Sequence, residues 1–199
     1  MIKLRGNFML EKNLKEHMAC LGHIAELGDI ITQAGGSMAN TIRNGGKILV
    51  CGNGGSAADS QHFSAELVGR FYKDRDALPA IALTTDTSII TAIANDYGYD
   101  RVFSRQVEAL GRPGDMLLGL STSGNSENVI QAVLASRKKQ MQTIALTGAD
   151  GGKLKGMADC SISIPCRQAP RIQEAHIFIL HAWAEQIEAT LCTGKESSC

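Results

Sequence analysis

His62, Glu66 and Arg70 stand in successive steps of four residues. In a helix, such steps put side chains on one face. That face would offer an imidazole nitrogen beside a carboxylate, donors that zinc accepts and a pairing that general acid–base chemistry also uses. A lone histidine in such a place is more often structural, and the His/Glu pair is the more specific signal. A second set lies near the C-terminus. Gln173 and His181 are eight residues apart, broadly on one side of a helix, with His176 on another. His181 sits inside Phe178-Ile179-Leu180-His181-Ala182-Trp183, an apolar run in which a satisfied core histidine is the default. Spacing alone does not show that the two segments meet.

Two loops are suited to an anion. Gly52-Asn53-Gly54-Gly55-Ser56 follows an apolar run and precedes a helical stretch. Its glycines let the backbone turn tightly and approach a ligand, and a helix start supplies free N–H groups and a positive dipole end. Ser121-Thr122-Ser123-Gly124-Asn125-Ser126 stands in the same relation to a second apolar run. Four hydroxyls in six positions exceed what one N-cap needs and suit a phosphomonoester. No lysine follows Gly124, so a nucleoside-triphosphate loop is not indicated. Gly52-x-Gly54-x-x-Ala57 loosely fits a dinucleotide fingerprint, but Asp86 lies too far along to be its acidic partner.

The elements that would carry these groups follow from the apolar pattern. Residues 10–44 read as helical, with Leu14, Met18, Leu21, Ile24, Leu27 and Ile31 near helical spacing and Gly35-Gly36 as the expected interruption. So long an amphipathic stretch needs a partner surface, its own domain or another subunit. Short apolar runs at 47–51, 80–83, 116–120, 143–146 and 161–164 read as strands. Stretches 57–71, 125–138 and 171–191 read as helices, with Pro170 where a first-turn proline is tolerated. Strands alternating mostly with helices imply a parallel sheet covered on both faces, and ligands of such sheets bind beyond the carboxyl ends of the strands. No linker or repeat divides the chain, so residues 1–199 are expected to form one domain, with 10–44 as its N-terminal helical element.

Composition narrows the classes. The chain has 199 residues, 44 % hydrophobic and 20 % charged, with a formal net charge of zero. That suits a folded domain with a real core and argues against a general nucleic-acid binder, which would carry a basic excess. No apolar run reaches membrane-spanning length. The start lacks an apolar signal core, and Met9 is an alternative initiator to Met1. None of the six cysteines forms a Cys-x-x-Cys pair, so reduced thiols in a cytoplasmic protein are expected.

The blocks CGNGGSAADSQHFSAEL, LTTDTSIITAIANDYGYD, FSRQVEALGRPGD, STSGNSENVIQA, LTGADGG and RIQEAHIFILH together resemble the sugar-isomerase (SIS) domain family, over about residues 46–188. Within it they are most similar to the members that isomerise a seven-carbon sugar phosphate. The resemblance implies a three-layer, doubly wound, five-stranded parallel sheet of flavodoxin-like type with an N-terminal helical extension. It implies a homotetramer with active sites at subunit contacts and one zinc per subunit. It implies a ketose–aldose isomerase that converts sedoheptulose 7-phosphate to D-glycero-D-manno-heptose 7-phosphate, the first step toward bacterial nucleotide-activated heptose, such as that of lipopolysaccharide.

By the same resemblance, the zinc ligands map onto His62, Glu66, Gln173 and His181. Substrate contacts map onto Asn53, Gly54, Gly55, Asn95, Asp96, Ser121, Thr122, Ser123, Ser126 and Gln173. Ser56 in the first loop, Glu66 and Arg70 are further candidate contacts. Glu66 is the expected base and His181 the expected acid. Arg167-Gln168-Ala169-Pro170 and the tail after Leu191 match no family pattern and take no role. The family also resembles a non-catalytic regulator of replication initiation, and includes isomerases of other sugar phosphates. The presence of both Glu66 and His181 here favours catalysis.

Overall fold

The computed structural model describes residues 5–192; the tail, with Cys199, and the start at Met1 lie outside the described residues. Strand β1 (Ile48–Gly52) is buried at every position, as is β3 (Met116–Ser121). Such continuous burial is what a strand inside a parallel sheet requires. β2 (Ala80–Ala82), β4 (Gln142–Gly148) and β5 (Cys160–Ile164) complete a five-stranded sheet in the order β2-β1-β3-β4-β5, every pair parallel. This is a doubly wound order, whose direction of winding reverses between β1 and β3.

Side chains alternate between the faces. Ile48, Val50, Leu118, Leu120, Ile144 and Leu146 enter one core, which holds helices α2 (Gly28–Arg43), α3 (Gly55–Val68) and α7 (Ala169–Leu191). Leu49, Cys51, Leu117 and Ala145 enter the other, under α5 (Ser104–Leu110) and α6 (Glu127–Lys138). The three-layer sheet and its N-terminal helical extension match the expectation.

Four details differ from it. Residues 10–44 form two helices, α1 (Arg5–Gly22) and α2, separated by a 3-10 turn at Ala25–Leu27 rather than broken at Gly35-Gly36. Gly35 lies within α2, where a Cβ would collide with the Gln186 side chain and approach Trp183 Cδ1 at 2.9 Å. Its lack of a side chain serves close helix packing, not a bend. The stretch 84–115, where no element is predicted above, holds α4 (Thr87–Tyr97) and α5. α4 buries none of its residues fully and α5 is seven residues long, so neither leaves a long apolar stripe. Asp86 caps α4 by accepting from Ile89 N at 2.9 Å. Third, α3 ends at Val68, before Arg70.

Finally, the cysteines are not all free. Cys20 on α1 is paired with Cys166, their Cα atoms 6.0 Å apart and 146 positions apart in sequence. A pairing that distant is set by the docking of α1 beside the start of α7, where His17 also meets Glu174 at 2.8 Å and Arg171 donates to Asn13 O. Cys51, Cys160 and Cys192 are free.

Candidate active site

The two anion loops stand side by side at the carboxyl ends of β1 and β3, at the point where the winding reverses. Asn53 and Asn128 join them by two reciprocal hydrogen bonds, Asn53 Nδ2 to Asn128 Oδ1 at 2.9 Å and Asn128 Nδ2 to Asn53 Oδ1 at 2.8 Å. Tyr99 hydroxyl reaches Asn53 Oδ1 at 3.4 Å. Gly54 has φ +55°, the left-handed region that glycine enters freely, and it stands at the N-cap of α3. Ser56 is buried against Gly52.

In the second loop, Ser121 Oγ lies 2.9 Å from Ser126 Oγ and 3.5 Å from Ser123 Oγ. Ser121 is buried, Thr122 and Ser126 are half-buried, and Ser123 is exposed. The hydroxyls therefore converge at an open mouth. The loop after β4 holds this one in place. Gly148 N donates to Thr122 O, Leu154 N to Gly124 O and Lys153 N to Asn125 Oδ1. A Cβ on Gly124 would collide with Gly151 O, so the two backbones touch.

α3 and α7 run side by side in the same direction on one face of the sheet. Gln173 packs its amide on Gly55 at the loop end of the seam, and His62 meets His181 further along it. His62 Nε2 is 2.8 Å from His181 Nε2 and 3.1 Å from Glu66 Oε1. One ligand atom from each of His62, Glu66 and His181 lies within 4.8 Å of the others. The His62 side chain is 47 % exposed and Glu66 23 % exposed, so the cluster opens to solvent. Phe71 leans on the His181 ring with centroids 5.8 Å apart. Two imidazoles and a carboxylate converging on one point are a donor set suited to zinc. They are also the group types that general acid–base chemistry uses.

The expected residues separate into three groups. His62, Glu66 and His181 come together. Asn53, Gly54, Gly55, Ser56, Ser121, Thr122, Ser123 and Ser126 form the paired loops, with Gln173 at their edge. Arg70, Asn95 and Asp96 make no hydrogen bond to either group among the described residues. Arg70 is exposed beyond the end of α3, so the one-face argument does not reach it. Asn95 and Asp96 are exposed on α4, and the hydrogen bond described for their side chains joins them to each other at 2.8 Å.

The reading from sequence also missed residues. Asn128 joins the second loop to Asn53, Tyr99 braces Asn53 alone, and no spacing pattern singles out either. Asp59, three residues before His62, has a buried Oδ2 without a partner among the described residues. Burial pushes its carboxyl up to about 6, against the opposing pull of His62. His176, by contrast, is fully buried and bonds Thr147 O at 3.1 Å, away from the cluster.

Known proteins resemble this chain in sequence and fold. Residues 14–148 match the SIS domain. A phosphoheptose isomerase of Neisseria gonorrhoeae is 56 % identical over 165 residues, 81 % of this chain and 84 % of that protein. One of Roseiflexus sp. is 58 % identical over 154 residues, 77 % and 78 % of the two chains. The solved structure of phosphoheptose isomerase from Neisseria gonorrhoeae superposes with a TM-score of 0.87 at 48 % identity, covering 92 % of this chain and 98 % of that one. With the fold, the paired loops and these similarities together, the chain belongs to the SIS domain family and, within it, to the phosphoheptose isomerases.

Proposed function

We propose that the chain converts sedoheptulose 7-phosphate to D-glycero-D-manno-heptose 7-phosphate through an enediol. The observation that carries this reading is the His62–Glu66–His181 cluster, set along the α3–α7 seam from a hydroxyl-lined loop suited to phosphate. Phosphate held at Ser121–Ser126 anchors one end of the sugar and leaves the reacting carbons toward the cluster. Binding energy spent at that remote end orients C1 and C2.

Glu66 takes a proton from C1 of the open-chain ketose as His181 gives one to the C2 oxygen, and the enediol forms. His181 then accepts the proton of the C1 oxygen while Glu66 returns one to C2, which leaves the aldose. The donor set of His62, Glu66 and His181, with Gln173 at the head of the same seam, would hold one zinc per protomer. A bound zinc supplies a Lewis acid for oxygen charge developing at C1 and C2. A homotetramer with its sites at subunit contacts completes the reading. Arg70, Asn95 and Asp96, exposed in one chain, would then contribute at such a contact.

A product assay with sedoheptulose 7-phosphate tests the reading. Positioned acid–base groups contribute roughly 10²–10⁴-fold, so Glu66→Gln and His181→Ala should each lose activity on that scale. Full activity in either variant removes its assigned role. Thorough chelation should abolish turnover and added zinc restore it; unchanged turnover after chelation takes the metal out of the mechanism.

A further inference from the structure

Glu188 lies seven residues beyond His181, two turns further on the same face of α7. It is 2 % exposed, yet each of its two oxygens accepts two hydrogen bonds from residues 71–75. Oε1 accepts from Tyr72 N at 2.9 Å and Lys73 N at 2.8 Å. Oε2 accepts from Phe71 N at 3.1 Å and Arg75 Nε at 3.1 Å. Burial alone would raise this carboxyl; the three backbone donors and Arg75 outweigh it and hold the group below the usual range.

Arg75 is as fully used. Nη2 donates to Glu66 O at 2.8 Å. Nη1 donates to Leu67 O at 2.8 Å, Asp76 O at 3.0 Å and Gly69 O at 3.3 Å. The last carbonyls of a helix have no partner within it, and here one guanidinium caps the end of α3 while its Nε holds α7. Only a planar, forked cation can serve so many acceptors at once.

Both ends of this ion pair lead to the active cluster. Arg75 grips the backbone of Glu66. Glu188 grips the backbone N–H of Phe71, whose ring leans on His181. We infer that the buried Arg75–Glu188 pair is a positioning device for the reaction: it sets the spacing of Glu66 on α3 against His181 on α7. Neither residue touches substrate. The inference rests on the isomerase reading, with Glu66 and His181 as its acid–base groups.

The experiment uses the full-length, zinc-loaded protein and three variants. Arg75→Lys keeps the charge but cannot span the carbonyls and Glu188 together. Glu188→Gln keeps the shape but presents an amide to four donors. Val133→Ala opens a cavity in the opposite core, far from the seam, as a control for general destabilisation. Misplacing reacting groups by about 1 Å costs roughly 10²-fold. Both clamp variants should therefore lose 10- to 100-fold in kcat, with the KM for sedoheptulose 7-phosphate held within about twofold because the phosphate loop is remote. Cobalt(II) titrated into the metal-free variants should bind at least about tenfold more weakly than to the metal-free parent.

Val133→Ala should lower Tm and leave kcat and cobalt affinity intact. Clamp variants that fold and keep kcat and cobalt affinity within twofold overturn the inference. So does a loss that merely tracks the folded fraction, as in the control. If neither clamp variant folds, Phe71→Leu decides: it keeps every hydrogen bond of the pair, and unchanged kcat there rejects the positioning role. A parent chain inert on the substrate would instead reject the isomerase reading, and the cobalt titrations would still judge the clamp.

Discussion

Two histidines five residues apart on α7 have opposite fates. His176 is fully buried, donates from Nε2 to Thr147 O and leaves Nδ1 without a partner among the described residues. A second proton would sit on Nδ1, for which the described residues supply no acceptor. Burial accordingly pushes its pKa down to about 4, although the bond to Thr147 opposes the shift. The unfolded imidazole titrates near 6.5. Because the folded pKa is depressed, the stabilisation is fully present above about 6.5 and is lost as pH falls toward 4. Within that window the slope approaches about 1.4 kcal/mol per pH unit. Urea midpoints between pH 7.5 and 4.5 should fall more steeply for the parent than for His176→Gln, which keeps a donor but does not titrate; parallel curves would reject the assignment. His181 was the histidine whose apolar neighbours suggested the core. It faces His62 instead, because its run is not uniformly interior: Phe178 is 52 % exposed. A type-by-type reading of neighbours cannot tell which side of a helix the sheet will cover.

At the scale of elements, α2 meets α7 through a glycine. Trp183 is fully buried and its indole N–H donates to Ile31 O at 2.8 Å, so it cannot move aside for a Cβ on Gly35. Gln186 could rotate away, at the loss of its bond to Thr32 O. Overpacking of this kind costs about 1–3 kcal/mol, which outweighs the helix propensity of up to about 1 kcal/mol that alanine gains over glycine. Gly36 differs: the nearest atom to its Cβ is Gln186 Nε2 at 4.0 Å. Gly35→Ala should lower Tm and Gly36→Ala raise it, and shifts of the same sign would reject the close-packing account. The strands were legible in the sequence because β1 and β3 are continuous apolar runs, a signal that burial on both faces imposes. Each half of the site was legible as a helix face. Their meeting was not, since His62 and His181 are 119 positions apart and touch only because α3 and α7 lie on the same face of the sheet. Arg70 illustrates the opposite error: the four-residue step continued past the residue at which the helix stops.

Across the whole molecule, exposed apolar side chains gather on α1 and α4. Leu10, Leu14 and Met18 are 66, 54 and 64 % exposed, and their four-residue spacing lays them in one stripe along α1. Single exposed apolar residues are ordinary, but a stripe of them on one helix face is the pattern of a contact surface. α4 repeats the theme, with Ile89 and Tyr97 exposed and no residue fully buried. α4 also carries Asn95 and Asp96, both exposed. These features fit a tetramer whose sites lie at contacts between chains, and the test couples assembly to catalysis. Light scattering on the parent should give the mass of four chains. Leu14→Glu with Met18→Glu places two charges in the α1 stripe without touching the core, so the far-ultraviolet circular dichroism should persist while the mass falls. If neighbours complete the sites, turnover should fall with it by at least about tenfold, the loss expected when a substrate-positioning group is withdrawn. A parent that is monomeric and fully active would reject the shared-site arrangement, and a dissociated variant with undiminished kcat would confine every catalytic contact to a single chain.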